Sequence, residues 1–135
     1  MRALLDTHTF LWWLDGDERL PEAARDLIAD DRNVIYVSAA SAWEISTKVR
    51  TGKLPGAVEV AASMPECITT QGFETLVITV PHVQRAGALP GPHRDPFDRM
   101  LVAQSQAENL PLVSNDAALD AYGVVRLWST VAGAG

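Results

Sequence analysis

The sequence contains one cysteine, Cys67, among 135 residues. A single thiol excludes an internal disulfide framework and suits a reducing compartment. Long apolar runs are also missing: nothing approaches the roughly 18 uninterrupted apolar residues of a membrane span. The first apolar stretch, Ala3 to Leu14, is broken by Asp6, Thr7 and His8, and no small-residue cleavage pattern follows it. No export signal and no membrane association are therefore expected, and the protein is expected to be cytoplasmic. Positive charge is scarce, with 11 Lys and Arg against 17 Asp and Glu and a net charge of −6. That balance disfavours a generic electrostatic binder of nucleic acid, because phosphate contacts need local positive charge. The signatures Gly-x-Gly-x-x-Gly, the P-loop, Gly-x-Ser-x-Gly and His-Glu-x-x-His are all absent, so dinucleotide, nucleotide-triphosphate, serine-hydrolase and zincin chemistry lose their usual support.

What is present is globular: 47% hydrophobic and 21% charged residues. The charge is unevenly spread. Residues 1–31 hold eight acids and three bases, a balance of −5, and the remaining nine acids and eight bases give −1. Lys48, Arg50 and Lys53 form a basic cluster, and Arg94 and Arg99 lie among acids. The overall sign therefore leaves room for a locally basic groove.

Short Val-, Ile- and Leu-rich runs at Arg2–Leu5, Val34–Val37, Leu76–Ile78, Leu112–Val113 and Val124–Leu127 predict buried strands. Between them the pattern predicts helices over Thr7–Leu14, Pro21–Ala29, Ser41–Arg50, Ala57–Ile68, Pro81–Ala88, Pro96–Glu108 and Ala117–Tyr122. This alternation implies βαβ units with right-handed crossovers, hence an α/β fold with a central, mostly parallel sheet covered on both faces. One domain is expected over residues 1–128, followed by a flexible Gly/Ala-rich tail at 129–135.

Four acids stand out: Asp6, Glu44, Asp98 and Asp116. Each has a plain reading as a helix cap. Asp6 precedes a helix, Ser41-Ala-Trp-Glu44 is a capping-box pattern, Asp98 lies in the first turn of Pro96–Glu108, and Asp116 precedes a short helix. Topology adds a joint reading. In a parallel α/β sheet the helix starts gather at the carboxyl edge of the strands, and ligands bind where the strand order switches. All four acids are delivered to that rim. Carboxylates brought together there repel and call for a cation. Oxygen-only donors select Mg²⁺ or Mn²⁺ over zinc, and such an ion can activate water and stabilise a departing oxygen in phosphodiester hydrolysis.

The combination Leu4-Leu5-Asp6-Thr7-His8, Ala42-Trp43-Glu44-Ile45, His93-Arg94-Asp95-Pro96-Phe97-Asp98-Arg99 and Ser114-Asn115-Asp116 resembles the PIN-domain ribonucleases. It looks most like the VapC-type toxins of bacterial type II toxin–antitoxin modules, and the resemblance runs from the first strand to about Trp128. It implies a three-layer α/β/α sandwich and metal-dependent endoribonuclease activity with Mg²⁺ or Mn²⁺. It also implies an RNA substrate, inhibition by a cognate antitoxin and a homodimer. Carried over by position, Asp6, Glu44, Asp98 and Asp116 match the four acidic motif positions. Thr7 and Ser114 match the small hydroxyl positions beside them, with Asn115 adjacent. Asp95 and Asp98 compete for the third acidic role; Asp98 fits the continuing helix and Asp95 reads as its N-cap.

Other residues have plainer readings. His93 and Arg94 sit near the rim, as loop residues or as contacts to RNA phosphates. Arg99 can pair with an acid or approach phosphate, and the sequence does not separate these. Lys48, four after Glu44, has the spacing of an ordinary helical ion pair. Trp12, Trp13 and Trp43 read as core rather than base-stacking platforms, and His8 as a polar residue of the first helix, with a general-base role as its alternative. Two competing functions are a PIN-like binding module whose acids only cap helices, and a phosphoaspartate receiver domain. The receiver needs a late lysine, whereas the last lysine here is Lys53.

Overall fold

A computed structural model describes residues 1–91 and 95–129. His93, Arg94 and residues 130–135 of the expected tail lie outside the described residues. Five strands, β1 (Arg2–Leu5), β2 (Val34–Ser38), β3 (Glu74–Leu76), β4 (Leu112–Val113) and β5 (Arg126–Leu127), form a sheet of order β3-β2-β1-β4-β5. Every pairing is parallel, as the strand–helix alternation predicts.

Seven α-helices accompany the sheet among the described residues: α1 (Thr7–Asp15), α2 (Glu22–Ala29), α3 (Ala39–Arg50), α4 (Val58–Ala62), α5 (Met64–Thr70), α6 (Val80–Ala88) and α7 (Pro96–Glu108). Short 3₁₀ turns occupy Pro55–Ala57 and Ala117–Tyr122. Side chains alternate across the sheet. Ala3, Leu5, Ile35, Val37, Val113 and Leu127 face one core, filled by Phe10 and Trp12 of α1, Leu27 and Ile28 of α2, and Met64 and Ile68 of α5. Leu4 and Leu112 face the other, closed by Leu101 and Val102 of α7 and by Leu119. The result is a three-layer α/β/α sandwich.

Local chemistry sets the helix ends. Asp6 Oδ1 accepts from Thr9 N at 2.8 Å to start α1, and Gly16 ends it at φ 63°, a left-handed conformation open to glycine. Asp95 Oδ1 accepts from Phe97 N at 2.9 Å and Asp98 N at 3.3 Å to start α7, with Pro96 at its first position. Thr79 and His82 make a reciprocal capping box at α6.

Five expectations need correction. The 41–44 capping box does not form: α3 begins at Ala39, its N-cap is Ser38, whose Oγ accepts from Ala40 N at 3.0 Å, and Glu44 lies a turn and a half inside the helix. The single helix expected over 57–68 is broken at Ser63, because Pro65 in the first turn of α5 has no N–H to continue the ladder of α4. The third strand lies at 74–76 rather than 76–78, and the fifth begins at Arg126 rather than Val124. Trp43 is not core; it is 61% exposed and stands edge-on to Phe97, with ring centroids 4.9 Å apart.

Candidate metal-binding site

Register places the site. Val37, Leu5, Val113 and Leu127 form one row across the sheet. One residue further along the three inner strands come Ser38, Asp6 and Ser114, all buried. Between β1 and β4 the chain order switches, since β1 leads outward to β2 and β3 on one side while β4 and β5 lie on the other. At that switch Asp6, His8, Glu44, Lys48, Asp95, Asp98, Asn115 and Asp116 line a polar cleft of about 370 Å³.

The four acids therefore meet at one cleft, delivered by different elements. Asp6 ends β1 and is 8% exposed. Burial raises its pKa above the ordinary carboxylate value, and hydrogen bonds from Ser114 and Thr9 only partly counter this. The Ser114 hydroxyl in turn accepts from Asp116 N at 3.0 Å, tying the two aspartates together. Glu44 is 3% exposed. Its Oε1 accepts from Thr7 Oγ1 at 2.5 Å, and its Oε2 accepts from Lys48 Nζ. Asp98 and Asp116 are half-buried, and Asp116 Oδ1 accepts from Ala118 N at 3.1 Å.

Capping accounts for Asp6, Asp95 and Asp116. It does not account for Glu44, deep within α3; Asp98 stands in the first turn of α7, behind the N-cap Asp95. Of the remaining sequence candidates, Thr7 and Ser114 are buried beside the acids and Asn115 is exposed on the cleft. Arg99 donates to the carbonyls of Ala86, at 3.2 Å, and Leu89, and it lines a separate apolar cleft with Trp43, Phe97 and Met100. Two further side chains join them: Lys48, whose sequence signals are the i,i+4 spacing and a basic cluster, lines the cleft, and Ser41, which the sequence offers only as a cap, lies 3.0 Å from Thr7.

The carboxylates of the cleft are hard oxygen donors, which suit Mg²⁺ or Mn²⁺. Among the described residues no three acidic, imidazole or thiol groups converge as a ready-made cage. Mg²⁺ does not require one, since it commonly keeps several waters and takes only one or two carboxylates. The buried Asp6 carboxyl supplies the physical reason for a cation: desolvation disfavours its charge, and a divalent ion beside it would offset that cost. The site fits such an ion.

Comparison with known proteins places this geometry in a family. Over 68 residues the chain is 37% identical to a protein named Ribonuclease VapC16 from Mycobacterium tuberculosis, covering 50% of this chain and 48% of that protein. The chain thus spans about half the length of that relative. Its fold is similar to that of VapBC2 from Rickettsia felis, solved bound to a DNA fragment from its promoter, with TM-score 0.70 and 17% identity over 95% of this chain and 99% of that one. It is also similar to FitAcB from Neisseria gonorrhoeae, with TM-score 0.58 and 18% identity over 94% and 96% of the two chains. The PIN domain profile matches residues 3–125, from β1 to the approach to β5 and through every acid of the cleft, and the chain belongs to the PIN domain family.

Proposed function

We propose that this chain is a Mg²⁺- or Mn²⁺-dependent endoribonuclease and the toxin of a type II toxin–antitoxin pair. The observation that carries the reading is the gathering of Asp6, Glu44, Asp98 and Asp116 around one cleft at the switch in strand order. Similarity to a relative named as a ribonuclease supports RNA as substrate. Inhibition by a cognate antitoxin, a homodimer and a cytoplasmic location are proposed with it from the VapC likeness.

In this reading carboxylates of the cleft would hold the ion, which when bound would supply Lewis-acid activation of water and stabilise the leaving oxygen. The chain's own residues do the positioning. Ser114 and the Thr9 amide fix Asp6, Thr7 fixes Glu44, and Asp95 holds the start of α7 so that Asp98 faces the cleft. A phosphodiester seated at the cleft mouth is cut as a water oxygen bonds to phosphorus and the opposite P–O bond breaks, the water's proton passing to the departing oxygen or to solvent. Glu44, buried in the middle of α3 and capping no helix, favours this reading over a binding module.

The test is incubation of the purified chain with total RNA in Mn²⁺ or in EDTA, followed by mapping of the new ends. Discrete ends that need Mn²⁺ are expected. Intact RNA under both conditions, with folding verified, overturns the reading.

A further inference from the structure

The acidic cleft carries a positive charge of its own. Lys48 lies one turn after Glu44 on α3, lines the cleft and donates from Nζ to Glu44 Oε2. Thr7 Oγ1 donates to the other oxygen at 2.5 Å, so both oxygens of Glu44 hold a donor. This is not an ordinary surface pair: the Glu44 side chain is 4% exposed and that of Lys48 26%, and solvent and salt screen such a pair far less than an open one. Asp95 and Asp98, at the start of α7, line the same cleft as Lys48. Lys48 thus feels carboxylates from both α3 and the start of α7. A lysine ammonium is a compact point charge with three donors, able to neutralise acids without a fixed coordination geometry. A divalent ion brought up to Glu44 would have to displace this bonded cation or sit against it, and like charges at such range repel strongly.

Building on the metal-dependent reading above, we propose that Lys48 is the resident cation of the cleft. It takes the place beside Glu44 that a second divalent ion would fill, so that one Mg²⁺ or Mn²⁺ binds per chain, on the side of Asp6, Asp98 and Asp116. Glu44 then contributes its charge through Lys48, and Lys48 is a positioning residue that sets metal stoichiometry.

Direct titration of the full chain with Mn²⁺, read by calorimetry and by the electron-spin-resonance signal of free Mn²⁺, tests this. Wild type and Lys48→Arg are expected to bind one ion per chain, whereas Lys48→Met and Lys48→Gln bind two, a doubling. Gln keeps a donor for Glu44, so Lys48→Gln carries the result should Lys48→Met fail to fold by circular dichroism. Two ions in wild type, or one ion in the folded neutral variants, overturns the inference and leaves the metal-dependent function standing. No ion in wild type, together with no Mn²⁺-dependent cleavage, removes that function and the inference with it.

Discussion

Thr7 and Glu44 are joined by a 2.5 Å hydrogen bond in which the hydroxyl of the first residue of α1 donates to a buried carboxylate in the middle of α3. Two helices that follow different strands are thereby tied at the point where the candidate site forms. Thr7→Val keeps the shape and removes the donor, leaving one buried carboxylate oxygen without its partner. The expected cost is about 1–3 kcal/mol of stability, read from the urea midpoint, with Thr7→Ser restoring most of it. An unchanged midpoint in Thr7→Val would contradict the role assigned to this bond.

Asp6 has a pKa raised by burial above its ordinary value of 3.8, which fixes the sign of its pH dependence. Its contribution to stability is fully present below pH 3.8 and is lost as pH rises through the raised folded-state value. In EDTA, Asp6→Asn keeps the cap on α1 and removes the charge. It should therefore match wild type at low pH and become the more stable protein as pH rises. Thermal melts across pH check this. Saturating Mn²⁺ should reverse the order, since ligand at 100 times its Kd stabilises by about 2.7 kcal/mol and the variant lacks a carboxylate to hold the ion.

Asp95 and Asp98 lie three residues apart with separable tasks. Asp95→Ala removes the N-cap of α7 and should cost about 0.5–2 kcal/mol, while Asp95→Asn should cost little. Asp98→Asn leaves that cap in place and removes a carboxylate of the cleft, so its gain in melting temperature on adding Mn²⁺ should disappear. Melts of the three variants with and without Mn²⁺ distinguish cap from ligand.

Gln104 links the sheet to the α6–α7 layer. Its Oε1 accepts from Ser38 Oγ at 2.5 Å and its Nε2 donates to Val77 O at 3.2 Å, within a fully buried setting. Gln104→Leu strands the Ser38 hydroxyl, which also caps α3. A loss of about 1–3 kcal/mol is expected in urea denaturation. No loss would show that the network carries no net stability.

Much of this arrangement was legible in the residues. The alternation of apolar runs with helical segments dictates a parallel sheet, and a parallel sheet dictates that Asp6, Glu44, Asp98 and Asp116 share a rim. Asp95-Pro96 announced the start of α7 because proline is pre-organised for the first helical turn. The rest depended on competition that local patterns do not record. Ser41-x-x-Glu44 has the form of a capping box, but Ala39 and Ala40 extend the helix back to Ser38, which caps it instead. Val77 and Ile78 have strong strand character, yet the sheet edge at β3 takes residues 74–76, the register set by pairing with β2. Trp43 has the look of core, but its side of α3 borders the open apolar cleft beside Phe97. Lys48 at i,i+4 from Glu44 is the commonest of surface patterns; only the burial of Glu44 turns it into a cation of the cleft.

The central claim is that the four acids form a metal-dependent RNA-cleaving site. The most direct measurement is the Mn²⁺-dependent cleavage of RNA by wild type and Asp98→Asn side by side, each purified free of other nucleases and shown by circular dichroism to be folded. The account predicts discrete Mn²⁺-dependent ends with wild type and none with Asp98→Asn. Equal cleavage by the two proteins would contradict it.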